Sequence, residues 1–224
     1  MDKNSLRILK KTKLFEGLSE NDILKALDCF GKKTEKFERG DIIIDAGDCV
    51  KDIALVLSGS VQILREDIDG NRAIIAQFYP SEIFAEALAC AQTKHSPVTA
   101  AAAANCEILF IPFEKISGFY KDSCAFHSKI VSNTLNIFAQ KNIFLNAKIE
   151  HLSKKTTRGK LLSYFNEQSR KAGSAKFEIP FNRNELADFL FLDRSAMSRE
   201  LGNMQNDGLI EFDKNRFKIL KDKK

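Results

Sequence analysis

Arg194, Ser195, Ser198 and Arg199 fall within six consecutive residues and carry side chains suited to reading the edge of a base pair. An arginine guanidinium is a planar fork that matches the O6 and N7 acceptors of guanine, while a serine hydroxyl serves a base or a phosphate. Asn182, Arg183, Lys214 and Arg216 bracket this group along the chain and are types that hold phosphate oxygens. No nucleophile–base constellation, glycine-rich phosphate loop or paired-carboxylate motif accompanies them, so the residue types point to binding and away from an enzyme.

Those side chains need two short helices to present them, and the pattern supplies both. Asn182-Arg183-Asn184-Glu185 is a capping-box start, after which Leu186, Ala187, Phe189 and Leu190 give a buried face. Asp193 is placed to cap a second helix, whose Met197, Leu201 and Met204 sit at i, i+4 and i+7 and must face the first. Ser195, Ser198 and Arg199 are left pointing outward with Arg194 on the flank, the requirement for entering a major groove. Both helix starts offer backbone N–H groups, and Asn182 is the better phosphate anchor because Asp193 repels anions. Gly208 ends the second helix. Leu209–Phe212 and Arg216–Ile219 then flank Asp213-Lys214-Asn215 as a hairpin wing, with Lys214 and Arg216 against phosphate. A helix over Thr157–Lys171, closed by Gly173, and a strand over Lys176–Ile179 precede the pair. An ordinary surface helix pair is the bland alternative.

Charge is asymmetric. Residues 147–224 hold 17 Lys and Arg against 11 Asp and Glu, whereas residues 1–146 hold 18 against 19. A basic small domain on a neutral one is an electrostatic footprint for nucleic acid, although a solvated lysine-rich surface gives the same count.

A long helix without Gly or Pro runs from about Ser123 to Ser153. Val131, Leu135, Phe138, Asn142, Leu145, Ile149 and Leu152 are spaced 4, 3, 4, 3, 4, 3, a coiled-coil seam with one Asn that pairs best with its own copy on a second helix. The adjacent face of Ile137, Ile143 and Phe144 could instead be claimed by the chain's own barrel. That barrel is expected from Thr34 to Phe110, where strands of about five residues alternate with Gly and Asp turns: Ile42–Ile44, Ile53–Leu57, the turn Ser58-Gly59, Val61–Leu64, the hairpin signal Asp69-Gly70, then Ala73–Phe78. Ahead of it Ser19 caps a helix, with Asp22 three residues on. No stretch approaches the length of a membrane span and the first residues are not a secretory leader, so a soluble, cytoplasmic protein without membrane contact is expected. Five scattered cysteines without a CxxC pair suit a reducing compartment.

Over nearly its whole length the chain resembles the Crp/Fnr family of bacterial transcription regulators. The matching segments are Leu14-Phe15-Glu16-Gly17-Leu18-Ser19, Ser58-Gly59-Ser60-Val61, Glu82-Ile83-Phe84-Ala85-Glu86, Ile179-Pro180-Phe181-Asn182-Arg183 and, most specifically, Asp193 to Leu201. The resemblance implies an α+β chain with a double-stranded β-helix or jelly-roll domain of the cyclic-nucleotide-binding type over residues 1–122, a dimerisation helix over 123–153 and a winged helix-turn-helix domain over 154–224. It also implies a homodimer, a palindromic double-stranded DNA operator under effector control, and contact with RNA polymerase.

Several departures narrow what the resemblance carries. Where cyclic-nucleotide members place Gly-Glu and a later Arg-Ser, this chain has Ala85-Glu86 and His95-Ser96-Pro97-Val98-Thr99, and no Arg lies between Arg72 and Arg158. A buried phosphate there would lack its cation, which argues against cyclic AMP or GMP. No cysteine precedes Cys29, which argues against an iron–sulfur cluster. Ser195 replaces the family's acidic residue in the recognition helix, and Phe191 stands where the turn usually has Gly. No cofactor is expected. An unidentified small-molecule effector, apolar or weakly polar, is placed among Phe84, Ala85, Glu86, Ser96, Thr99, Leu145 and Asn146. Haem ligation by His95, His127 or His151 is disfavoured, since single histidines on polar segments mostly face solvent. Cys29, Cys90 and Cys106 read as core, and Cys124 as the thiol best placed to sense oxidants. A ligand-binding or thiol-redox protein acting through protein partners is the rival reading.

Overall fold

The computed structural model describes residues 3–66, 72–118 and 125–220. The Asp69-Gly70 hairpin signal and Cys124 lie outside the described residues. The chain divides into two compact units, Met1–Ala139 and Gln140–Lys224.

The first unit opens with helices α1 (Lys3–Lys11) and α2 (Glu20–Phe30), and Ser19 caps α2 as expected by accepting from the Asp22 N–H. A six-stranded antiparallel sheet follows: β1 (Lys33–Phe37), β2 (Ile42–Ile44), β3 (Asp52–Glu66), β4 (Arg72–Phe78), β5 (Ile83–Phe84) and β6 (Thr99–Pro112). Its main order is β1-β6-β3-β4, with β2 pairing to β6 and β5 to β3. Helix α3 (Glu86–Cys90) lies between β5 and β6, and α4 (Phe113–Ser117) follows β6.

One expectation fails here. Ile53–Leu57 and Val61–Leu64 are a single 15-residue strand, and Ser58-Gly59 is a bulge within it. Before the bulge Ile53, Leu55 and Leu57 face the core shared with α1 and α2, while Ala54 and Val56 face the interior of the roll. After it the odd-numbered Val61 and Ile63 face the interior. The bulge has shifted the side-chain alternation by one, as an inserted residue must where the period is two. Gly59 carries φ +75°, and a Cβ there would stand 2.2 Å from the Asn105 carbonyl oxygen, so only glycine fits the crossing with β6.

The long helix α5 (Ala125–Leu152) agrees with its expected span. Within the first unit Ile130 and Ile137 enter the helical core, and buried Asn133 donates to the carbonyls of Leu14 at 3.0 Å and Glu16 at 2.9 Å. The second unit continues with α6 (Thr157–Ala172), β7 (Lys176–Glu178), α7 (Arg183–Leu190), α8 (Arg194–Asn206), β8 (Ile210–Asp213) and β9 (Arg216–Ile219). Its sheet runs β7-β9-β8, and Phe165, Phe177 and Phe217 join Leu186, Met197, Leu201 and Met204 in one core.

Candidate nucleic-acid interface

Both expected helix starts are present in full. Asn182 Oδ1 accepts from the N–H groups of Asn184 and Glu185 at 2.9 and 3.0 Å, while Glu185 accepts from the Asn182 N–H at 2.8 Å. Asp193 accepts from the Ala196 N–H at 2.8 Å and from the Ser195 hydroxyl at 2.6 Å. These two bonds, the hydroxyl's first, hold the Asp193 carboxyl below the usual carboxylate range. Met197, Leu201 and Met204 are buried against α7 and α6, and Arg194, Ser195, Ser198 and Arg199 are all exposed.

The structure narrows several expected roles. Ser195 faces outward, but its only proton is given to Asp193, so it meets a ligand as an acceptor. The first-turn N–H groups of Asn184 and Glu185 are taken by Asn182, which weakens the expected phosphate anchor at that helix start. Arg183 packs its guanidinium over the rings of Phe212 (4.9 Å) and Phe217 (5.1 Å), and burial pushes its pKa down from the ordinary arginine value. It stays charged and joins Asn182, Glu185, Lys214 and Asn215 around a cavity of about 410 Å³ between α7 and the wing turn. Arg216 does not join them: it faces Glu178 at 3.7 Å and lines a separate groove with Lys176 and Lys218.

Residues that the pattern did not flag hold α7 and α8 in place. Arg158, near the start of α6, bonds Glu200 at 2.5 Å and Asp207 at 2.8 Å, clasping α8 near its middle and at its end. Lys160 donates to the Leu190 carbonyl at 3.2 Å, satisfying the C-terminus of α7. A single arginine or lysine on an amphipathic helix carries no sequence signal for such a role.

Residues 34–123 match the Cyclic nucleotide-binding domain family and residues 159–224 the Crp-like helix-turn-helix domain family, together more than two thirds of the chain. The chain belongs to the Crp/Fnr family of transcriptional regulators. It is 24% identical over 202 residues to the transcriptional activator protein FnrA of Stutzerimonas stutzeri, covering 88% of this chain and 80% of that one. It is 25% identical over 194 residues to the electron transport regulator A of Shewanella oneidensis, covering 84% and 75%. The crystal structure of the Thermus thermophilus catabolite activator protein shares the fold, with a TM-score of 0.54 and 21% identity over 93% of this chain and 94% of that one. The protein is thus a Crp/Fnr-type regulator with a sensory cyclic-nucleotide-binding-like roll ahead of a DNA-binding helix-turn-helix.

In this Crp/Fnr-type regulator the interior of the roll is largely apolar. Phe84 lies in its core against Phe78, ring centroids 5.7 Å apart, and Ala85 takes a left-handed conformation that starts α3. Glu86 and Ser96 are both buried, and Ser96 spends its hydroxyl on the Val98 carbonyl at 2.6 Å. Of the residues expected around an effector, Thr99 opens onto a cavity of about 680 Å³, which it shares with Arg39, Asp45, Gln62, Glu66, Ala101 and Ala103 among others. Leu145 and Asn146 belong to the other compact unit. Arg39 precedes Arg72 in the chain and so falls outside the segment where the family resemblance places a phosphate partner. Asp45 and Glu66 in the same cavity oppose its charge.

The histidine and cysteine expectations need correction. His151 is buried rather than solvent-facing, with Nδ1 2.8 Å from Ser163 Oγ and Nε2 2.6 Å from Glu167. It closes the last turn of α5 onto α6. Of the three cysteines read as core, Cys106 is buried, whereas Cys29 and Cys90 are exposed; α2 turns Ile23, Ala26, Leu27 and Phe30 inward and leaves Cys29 outside. Burial first, and Asp41 second, push the Cys106 thiol up. Among the described residues no group of three or more His, Cys, Asp and Glu is placed to hold a metal, and no helix is long and apolar enough to cross a membrane.

Proposed function

We propose that this regulator is a cytoplasmic homodimer in which residues 1–122 sense a small molecule, residues 123–153 form the twofold seam and residues 154–224 read a palindromic operator. Arg199 reads base edges. Arg194 reaches a base edge or a neighbouring phosphate from the flank, with Ser195 accepting and Ser198 accepting or donating beside them. Asn182, Arg183 and Lys214 hold backbone phosphate at the cavity between α7 and the wing, and Arg216 assists once released from Glu178. One observation carries this reading: α8 is clasped by Arg158 at two points and buries its methionines and Leu201, yet leaves Arg194, Ser198 and Arg199 unburied.

Dimerisation through Val131, Leu135, Phe138, Asn142, Leu145, Ile149 and Leu152 is supported by exposure. Leu135, Leu145 and Ile149 are each more than half exposed on the single chain, a cost in apolar surface that a second helix would remove. RNA polymerase is the further partner proposed, and the effector is an apolar or weakly polar small molecule admitted beside Thr99. No residue is assigned to catalysis.

Randomised-site selection followed by titrations at several salt concentrations tests the assignment. Arg199→Ala is expected to cost roughly 1–3 kcal/mol on the cognate site and to relax one base pair per half-site. Lys214→Ala is expected to weaken all sequences alike and to lower the salt slope by about one for each phosphate no longer neutralised. A base preference untouched by Arg199→Ala but altered by Lys214→Ala would falsify the reading face.

A further inference from the structure

The cavity of about 680 Å³ beside Thr99 lies on the outer face of the roll. Along β6 the side chains of Thr99, Ala101 and Ala103 alternate with those of Ala100 and Ala102, which belong to the interior core. Along β3, Gln62, Leu64 and Glu66 alternate in the same way with Val61 and Ile63, and on β2 the exposed Ile42 precedes Ile43 and Ile44 of that core. The register sets Gln62 and Ile42 on either side of Ala101 and Leu64 beside Thr99, so these side chains share one face of the sheet.

The depth of this cavity follows from an unusual run. Residues 100–104 are five consecutive alanines, a type depleted in strands. Ala100 and Ala102 are buried, so interior packing accounts for them. Ala101 and Ala103 face outward, where solvent would accept almost any side chain, and interior packing gives no reason for their size. Their missing volume leaves a trough along β6 between ridges on β2 and β3, each about 4.8 Å away. The two ends of the trough carry opposite charge. Asp45 lies at the Thr99 end, where its carboxylate accepts from the Thr99 hydroxyl at 3.3 Å, and Glu66 lies there too, just past Leu64. Arg39 lies at the Ala103 end, its backbone N–H donating to the Asn105 side chain at 2.9 Å and that of Gly40 to the Ala102 carbonyl at 2.8 Å. Four residue steps separate Thr99 from Ala103, about 13 Å at the rise of a strand.

We propose that this trough binds a short extended peptide of three or four residues with both termini free, its ammonium at Asp45 and Glu66, its carboxylate at Arg39 and its chain parallel to β6. The inference rests on the reading that an effector enters beside Thr99, and it names the class: apolar and slender along its length, charged at its two ends. Three or four extended residues span roughly 10–14 Å, the separation of the charged ends. The guanidinium suits a terminal carboxylate, and the two carboxylates suit an ammonium. A diamine would set a cation against Arg39 and a dicarboxylate an anion against Asp45 and Glu66, so each is repelled at one end. Small side chains fit over Ala101 and Ala103, and the Gln62 amide, at mid-trough, offers a donor and an acceptor to a peptide group.

Calorimetric titration of the full chain with tetra-alanine, beside its N-acetylated and C-amidated forms, tests the assignment. Tetra-alanine is expected to bind with a Kd below about 1 mM, and each blocked form about tenfold more weakly. Arg39→Gln is expected to erase the difference between the free and amidated peptides while keeping that between the free and acetylated ones. Asp45→Asn combined with Glu66→Gln is expected to do the reverse. Ala101→Phe fills the trough and is expected to abolish binding while leaving the thermal midpoint of the chain undiminished, since an outward aromatic suits a strand. Anilinonaphthalene sulfonate, an apolar fluorophore, separates this inference from the effector reading beneath it. Fluorophore binding that Ala101→Phe removes, with no heat from tetra-alanine or with affinities that ignore the blocking groups, overturns the peptide and leaves an apolar effector at this place. Fluorophore and peptide signals that are both absent, or both unchanged by Ala101→Phe, overturn the effector reading and this inference together.

Discussion

Replacing His151 by alanine tests whether the last turn of α5 is fastened to α6 by one buried side chain. The imidazole is 3% exposed on its side chain, and its Nε2 must carry the proton shared with Glu167, since that carboxylate only accepts. A hydrogen bond to a charged group contributes about 1.5–3 kcal/mol and a neutral one to Ser163 about 0.5–1.5 kcal/mol, so the loss is on the order of 2–4 kcal/mol. For a chain of this length that corresponds to a fall of roughly 5–15 °C in the midpoint of the transition. Near-ultraviolet circular dichroism follows it directly, because buried Tyr164 sits edge-on to His151 with centroids 5.7 Å apart and the chain has no tryptophan. The same bond sets a pH dependence. Burial alone would raise the Glu167 pKa, but the hydrogen bonds from Lys171 and His151 more than reverse this, and the net shift is downward from 4.5. A depressed carboxylate contributes stability that is complete above its unfolded value and is lost as pH falls through its folded value. The difference between the unmutated chain and His151→Ala is therefore expected to hold at pH 6–7 and to narrow below about 4.5, Lys171 retaining its own share. A midpoint unchanged by the substitution refutes the fastening.

Two further outcomes follow from the roll. Gly59→Ala is expected to abolish folding of the first unit, since a Cβ 2.2 Å from a backbone oxygen adds a steric clash to the roughly 1–2 kcal/mol cost of the left-handed backbone; soluble yield and strand signal in circular dichroism measure it. Cyclic AMP is expected to give no calorimetric signal at micromolar concentration, because Arg39 faces that cavity together with Asp45 and Glu66, and the Arg39→Ala variant is expected to behave identically.

The elements that follow from local rules were legible in the sequence. Capping chemistry placed Ser19, Asn182 and Asp193, and the 3.6-residue period placed Met197, Leu201 and Met204 inward. What was not legible depends on partners distant in sequence. Ser58-Gly59 has the composition of a turn, and only the approach of Asn105 and Cys106 makes it a bulge that flips β3. His151 sits on a helix end that reads as polar, and it is buried by Ser163 and Glu167 of the next helix. Arg183 and Arg216 look alike as cations near a wing, yet two phenylalanines claim the first and Glu178 the second. The effector residues were the least legible, because Phe84 and Ser96 serve the roll's own packing and turn.

Gly202 lies inside α8, about two turns from its start. Taking the buried Met197, Leu201 and Met204 as one side of α8, the 100° step per residue puts Ser195, Arg199 and Gly202 on the opposite side at i, i+4 and i+7. Arg194 falls on a flank. Glycine inside a helix costs about 0.5–1 kcal/mol relative to alanine, and a Cβ at this position would meet nothing within 4 Å. Packing within the chain therefore gives no reason for the missing side chain, whereas the proposed approach of this face to DNA would supply one. Gly202→Ala is accordingly expected to raise the unfolding free energy by about 0.4–1 kcal/mol in denaturant titration. Gly202→Leu is expected to stay as stable as the unmutated chain and yet bind every DNA sequence more weakly, because the added bulk holds the whole reading face away from the groove. If Gly202→Leu binds the selected operator as tightly as the unmutated chain, the stripe through Arg199 does not face the base pairs, and Arg199 must reach them from the side.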